Sequence, residues 1–143
     1  MRMSTIVPEA SPLLRHACEA ALRLLPDAAA VYVFGSFAEG RQRGDSDLDL
    51  AVLSEQPLDP LRRLTVQREL GAVLDRDVDL IDLHRASTVL RQEVVTRGRA
   101  LFKRDALFAL DFEARTLGDY ADLMDATHAL RASVRERARV HAQ

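Results

Sequence analysis

Gly35 and Ser36 follow a short apolar run, Val31 to Phe34, and ten residues separate Ser36 from the first of two alternate aspartates, Asp47 and Asp49. These residue types at this spacing suit a nucleoside triphosphate carried with a divalent cation. A glycine at a strand end adopts backbone angles closed to other residues and lets a ligand approach the main chain. Ser36 stands where it would cap a short helix, whose free N–H groups and dipole attract an anion such as a triphosphate. Asp47 and Asp49 fall in a run with period two, so both point to one face, roughly 6–7 Å apart along the backbone. Asp45 adds another acid nearby, and the face offers no obvious base to neutralise them. Mg²⁺, or Mn²⁺ in its place, takes one or two carboxylates and completes its shell with phosphate oxygens and water, so it is the expected counter-charge. A merely solvated turn could also be rich in Asp and Ser. What separates the two readings is the Gly-Ser strand end at a fixed distance from the acids.

A third acid is expected from a neighbouring strand. Asp77 to Leu83 alternates Val78 and Leu80 against Asp77, Asp79 and Ile81. Paired beside the Asp47–Asp49 strand with its acidic face on the same side, it would bring Asp79 within about 5 Å, Cβ to Cβ, of its neighbour. β-Propensity disfavours aspartate in a strand, so its presence asks for a reason; an edge-strand charge against aggregation is the competing one. Asp77 shares the face but lies nearer the strand start, as the fallback. Asp82 points the other way, toward the next turn.

With these residues in place, the chain resembles the nucleotidyltransferase superfamily that includes DNA polymerase β and the aminoglycoside nucleotidyltransferases. More closely, Val78 to Ser87, Leu90 to Val94 and Gly98 to Asp105 resemble the MntA-type antitoxin adenylyltransferases of HEPN/MNT toxin–antitoxin pairs. The similarity runs over nearly the whole chain, the helix after Asp105 included. It implies a polymerase β-like fold, ATP as donor, and Mg²⁺ held by Asp47, Asp49 and Asp79 as the catalytic acids. Gly35 and Ser36 would bind the nucleotide. It further implies transfer of AMP to a tyrosine hydroxyl of a cognate HEPN ribonuclease toxin, which is thereby silenced within a hetero-oligomer. The HEPN motif itself, an Arg followed at short spacing by His-x-Tyr, is absent, so the chain resembles the antitoxin half. Members often carry a basic residue where this chain has Glu39, and Arg41 and Arg43 are the nearest cations.

The elements needed to position these groups follow from the pattern. Ser11-Pro12 opens a helix that carries Leu13, Leu14, Ala17, Cys18, Ala21, Leu24 and Leu25 at helical spacing up to Pro26. Strands are expected over Val31–Phe34, Asp47–Leu53, Val78–Leu83 and Ala100–Lys103. Leu48, Leu50 and Val52 should face the core, while Asp47, Asp49 and Ala51 face a cleft. Helices are expected from Pro57 to Leu74, from Ser87 to Arg97, and from Asp105 onward with a break near Gly118. The fold class is therefore α/β (α+β): a small mixed sheet flanked by helices, as one domain over residues 1–143 with a helical segment from about 105.

Composition narrows the function classes. Twenty basic residues against 22 acidic ones give a net charge of −2, so direct nucleic-acid binding is not expected beyond a local patch. The single cysteine, Cys18, excludes an internal disulfide and fits a reducing compartment. No run of 18 apolar residues and no signal-peptide pattern is present, which makes cytoplasm the default and no membrane partner expected. His16, His84, His128 and His141 lack metal-ligand spacing. The terminal helix carries Phe108, Phe112, Leu117, Tyr120, Leu123 and Met124, a wide stripe that either folds back on its own sheet or docks a partner helix. Two rival functions remain at this stage. One is transfer to an antibiotic or a nucleic-acid end; the other is an antitoxin that blocks its toxin sterically.

Overall fold

Each of the four described α-helices starts where a side chain satisfies one or two of its first free N–H groups. In the computed structural model, which describes residues 7, 9–44 and 47–142, the Ser11 hydroxyl accepts from Leu14 N at the start of α1 (Pro12–Leu24). Asp59 does the same for Arg62 N in α2 (Pro60–Leu74), and Ser87 for Leu90 N in α3 (Thr88–Arg97). Asp105 accepts from both Leu107 and Phe108 at the start of α4 (Ala106–His141). Between them run β1 (Ala28–Phe34), β2 (Leu48–Ser54), β3 (Val78–Asp82) and β4 (Arg99–Lys103).

The four strands form one sheet in the order β3-β2-β1-β4. β1 pairs antiparallel with β2 and β4, whereas β2 and β3 are parallel and are joined through α2. One face carries Val31, Val33, Leu48, Leu50, Val52 and Leu80 under α1 and α2. The other carries Ala30, Tyr32, Phe34, Ala51, Leu53 and Leu83 beneath α3 and the first turns of α4. Tyr32, buried on that second face, donates its hydroxyl to Glu113 at 2.8 Å, and Lys103 reaches the same carboxylate at 2.9 Å, tying α4 to β1 and β4. Burial and the Glu113 charge push the Tyr32 phenol well above its ordinary value.

At the β3 edge of the sheet, α2 takes up the outward backbone groups of Leu80. Gln67 Oε1 accepts from Leu80 N at 2.9 Å, and Arg63 donates to Leu80 O at 3.0 Å, so both backbone groups at the middle of this edge strand are taken by α2. Asp82, nearly fully buried, accepts from Leu58 N at 2.8 Å and His84 N at 3.0 Å. It points away from Asp79 and caps the following turn, as its place in the pattern indicates.

The elements depart from expectation at several points. β1 begins at Ala28, not Val31, because burial on both faces overrides the poor β-propensity of alanine. α2 begins at Pro60, not Pro57, since Asp59 is the residue that caps it and Leu58 N is held by Asp82. Ala51 is fully buried rather than facing a cleft, because α3 and α4 roof all but the start of the aspartate face. Finally, α4 runs 36 residues without a break at Gly118. A glycine costs a helix interior about 1 kcal/mol relative to alanine, which 36 residues of otherwise helical sequence absorb.

Candidate active site

The turn after β1 and the acids of β2 occupy the same place. Phe34 pairs with Asp49, so Gly35 follows directly alongside it. Gly35 has φ +70°, and a Cβ there would stand 2.3 Å from Asp49 Oδ2. Only glycine fits, both for its backbone angle and for the carboxylate lying against it. The Gly35 carbonyl accepts from Ala38 N and Glu39 N, which closes a short 3-10 turn over Gly35–Phe37.

Ser36 therefore lies inside that turn and not at its N-cap, contrary to expectation. The cap position is Phe34, and no side chain caps the turn. The positive φ of Gly35 starts the turn two residues earlier than the capping pattern suggests. Ser36 is half-buried, and Phe37 after it enters the core with the Arg76 guanidinium 5.3 Å from its ring centre.

Asp49 stands opposite Asp79 in the parallel register of β2 and β3. Asp47 is exposed and sits just before β2 rather than within it; Asp79 is exposed on the edge strand, and Asp49 between them is partly buried. The Asp49 carboxyl is pushed up to about 6, first by burial and then by the charges of Asp79, Asp47 and Glu93. The charges of Asp47 and Asp79 thus both act on Asp49.

Among the described residues, no three acidic or histidine side chains approach closely enough to form a closed ion cage. Mg²⁺ does not ask for one: one or two carboxylates with phosphate oxygens and water suffice. A like-charged cluster whose central member already resists ionisation fits a divalent cation delivered with a triphosphate.

The fallback acid does not join this group. The carbonyl of Asp77 accepts from Leu48 N at 2.9 Å, and its exposed side chain borders a separate cleft of about 730 Å³ with Gly71, Arg76 and Val78. Asp45 lies outside the described residues. Asp79 instead lines a cleft of about 420 Å³ with Arg63, Ile81, Arg85, Ser87 and Leu90, open at the sheet edge beside the acids.

Glu93 is the residue that sequence reasoning missed. Val94 is fully buried against Tyr32 and Phe34, which sets its neighbour Glu93 on the flank of α3 toward Asp49. Gly98 allows this approach, since a Cβ there would meet Val33 O at 2.9 Å. The signal existed only once α3 was known to roof the aspartate face.

The remaining polar candidates have structural explanations. Arg41 pairs with Glu39 on the surface. His84 places its ring nitrogen against Ser54 O. The Cys18 thiol is buried in the α1 core, and desolvation pushes it up to about 12, far from a reactive thiolate.

Comparison with known proteins gives this geometry a context. Residues 17–107 match the family model described as polymerase beta, nucleotidyltransferase. The protein adenylyltransferase MntA of Shewanella oneidensis is 45% identical over 89 residues, 60% of this chain and 64% of that protein. The chain thus spans less than two thirds of the length of the curated relatives it matches. A crystal structure of a toxin–antitoxin with AMP-PNP superposes with a TM-score of 0.75 at 36% identity, covering 84% of this chain and 97% of that one. A structure of a tri-AMPylated Shewanella oneidensis HEPN toxin with its MNT antitoxin gives 0.70 at 34% identity, covering 85% and 96%. With more than half its length matched, and the Gly-Ser turn set against the paired aspartates, the chain belongs to the polymerase β-type nucleotidyltransferase family.

Proposed function

We propose that this protein is an antitoxin adenylyltransferase that moves AMP from Mg-ATP to a hydroxyl, a tyrosine, of a cognate HEPN toxin in the cytoplasm and so silences it. The observation that carries the reading is the contact between the Gly35 turn and Asp49, itself opposite Asp79, so that a glycine turn and the acids share one point. The nucleotide analogue in one related toxin–antitoxin structure and the AMPylated HEPN toxin in another support it.

Gly35 and Ser36 would hold the outer phosphates through backbone N–H groups and the serine hydroxyl. Asp47 and Asp49 would hold a divalent cation, which would supply neutralisation of the triphosphate and of the departing pyrophosphate. Asp79, at the open edge, orients the acceptor hydroxyl and takes its proton. The acceptor oxygen forms a bond to the α-phosphorus as the bond from that phosphorus to the bridging oxygen breaks. Pyrophosphate leaves with the electron pair. The cleft beside Asp79 is where an acceptor side chain gains access.

Calorimetric titration with ATP tests the site. Binding in Mg²⁺ should weaken at least about tenfold in EDTA, since three acids otherwise face the phosphates unscreened. Equal affinity in both would remove the cation from the reading.

A further inference from the structure

Beyond Thr116, α4 leaves the body of the protein and keeps the stripe that anchors it. Ala109, Phe112 and Thr116 pack toward the sheet; Tyr120, Leu123, Thr127, Leu130 and Val134 continue the same three- and four-residue spacing on the same face. Of these, Leu123, Leu130 and Val134 are 39%, 66% and 54% exposed, and Met124 beside them is 40% exposed. The uncovered segment spans about 35–40 Å at 1.5 Å per residue. Among the described residues, none outside the helix covers it.

Its charges are sorted along its length. Asp119, Asp122 and Asp125 fill the first half, and Arg131, Arg135, Arg137 and Arg139 the second. The helix dipole does not account for the acids, because its effect fades within the first turn and they lie more than ten residues from Ala106. Arg139 has Glu136 as an intrahelical partner at 3.4 Å, but the acidic half contains no base between Gly118 and Ala126.

We propose that this segment pairs antiparallel with the same segment of a second copy of this chain. A two-fold axis near Thr127 sets the acidic half of each helix against the basic half of the other and buries the two stripes together. A parallel pair would set acid on acid and base on base. The inference stands on the helix alone and is independent of the reaction proposed above.

Sedimentation of the full chain without any partner tests it. The expected result is a dimer at micromolar concentration. Changing Asp119, Asp122 and Asp125 to Lys should weaken it at least about tenfold, as should changing Arg131, Arg135 and Arg137 to Glu; mixing the two variants should restore a dimer. Circular dichroism confirms that each stays helical. For orientation, Thr127→Cys should form an interchain disulfide under mild oxidation and Val134→Cys should not, because the Val134 positions would lie about 20 Å apart. A monomeric wild type overturns the proposal, including the case in which the stripe binds only a different protein. Cross-linking through Val134→Cys as well as Thr127→Cys also overturns it, by showing a parallel pair.

Discussion

Replacing Asp49 with Asn should abolish transfer and, in the absence of metal, make the protein more stable. Asp49 is held up to about 6 by burial and by Asp79, Asp47 and Glu93, so at pH 7.5 the folded chain carries a charge that its surroundings oppose. For an acid whose folded value lies above its unfolded one, the folded state binds the proton more tightly. That contribution to stability is present at pH 4 and is lost as pH rises toward 6. A displacement of this size corresponds to about 3 kcal/mol for a fully enclosed group, and solvent screening of the partly exposed Asp49 reduces it to about 1 kcal/mol. Asn keeps the shape without the charge, so in EDTA at pH 7.5 it should melt about 3–5 °C higher than wild type. At pH 4.5 the folded carboxyl is already protonated and most of the difference should be gone. Thermal melts followed by circular dichroism at both pH values read this directly. A variant less stable than wild type at pH 7.5, or a gain of equal size at pH 4.5, would refute the reasoning.

Two substitutions probe the phosphate turn. Gly35→Ala should abolish ATP binding seen by calorimetry and lower the melting temperature, because the new Cβ meets Asp49 Oδ2 at 2.3 Å on a backbone with φ +70°; unchanged binding would detach the turn from the acids. Ser36→Ala should lower kcat/KM for ATP about ten- to a hundredfold, the loss of one hydrogen bond to a charged phosphate worth roughly 1.5–3 kcal/mol. An unchanged value would leave phosphate binding to the backbone alone.

The sequence made the site legible through two short-range rules and one long-range condition. Period two put Leu48, Leu50 and Val52 in the core, where they are fully buried, and Asp49 on the opposite face. A strand end followed by glycine located the turn. That Asp79 belongs beside Asp49 depended on β3 lying next to β2 in register, which alternation allows but does not dictate; the parallel pairing supplies it. The cap position of Ser36 misled because a positive φ at Gly35 is a tertiary choice, taken to seat the turn against Asp49. Glu93 and the buried state of Ala51 were illegible for a shared reason. Both depend on α3 crossing the aspartate face, and neither helix periodicity nor composition tells which face of a sheet a helix covers. The long α4 was half legible: its stripe foretold both docking on the sheet and exposure, and the structure divides the two near Thr116.

The central claim is that the Gly35–Ser36 turn and the three aspartates carry out covalent transfer to a protein hydroxyl. Intact mass of the cognate HEPN toxin tests it most directly. Excess toxin is incubated with Mg-ATP and either wild-type protein or the Asp47→Asn variant, then separated under denaturing conditions and weighed. The account predicts one or more added AMP masses on toxin treated with wild type, modification of more toxin molecules than antitoxin supplied, and no added mass with Asp47→Asn. Toxin left unmodified by both proteins, yet neutralised by both, would contradict it.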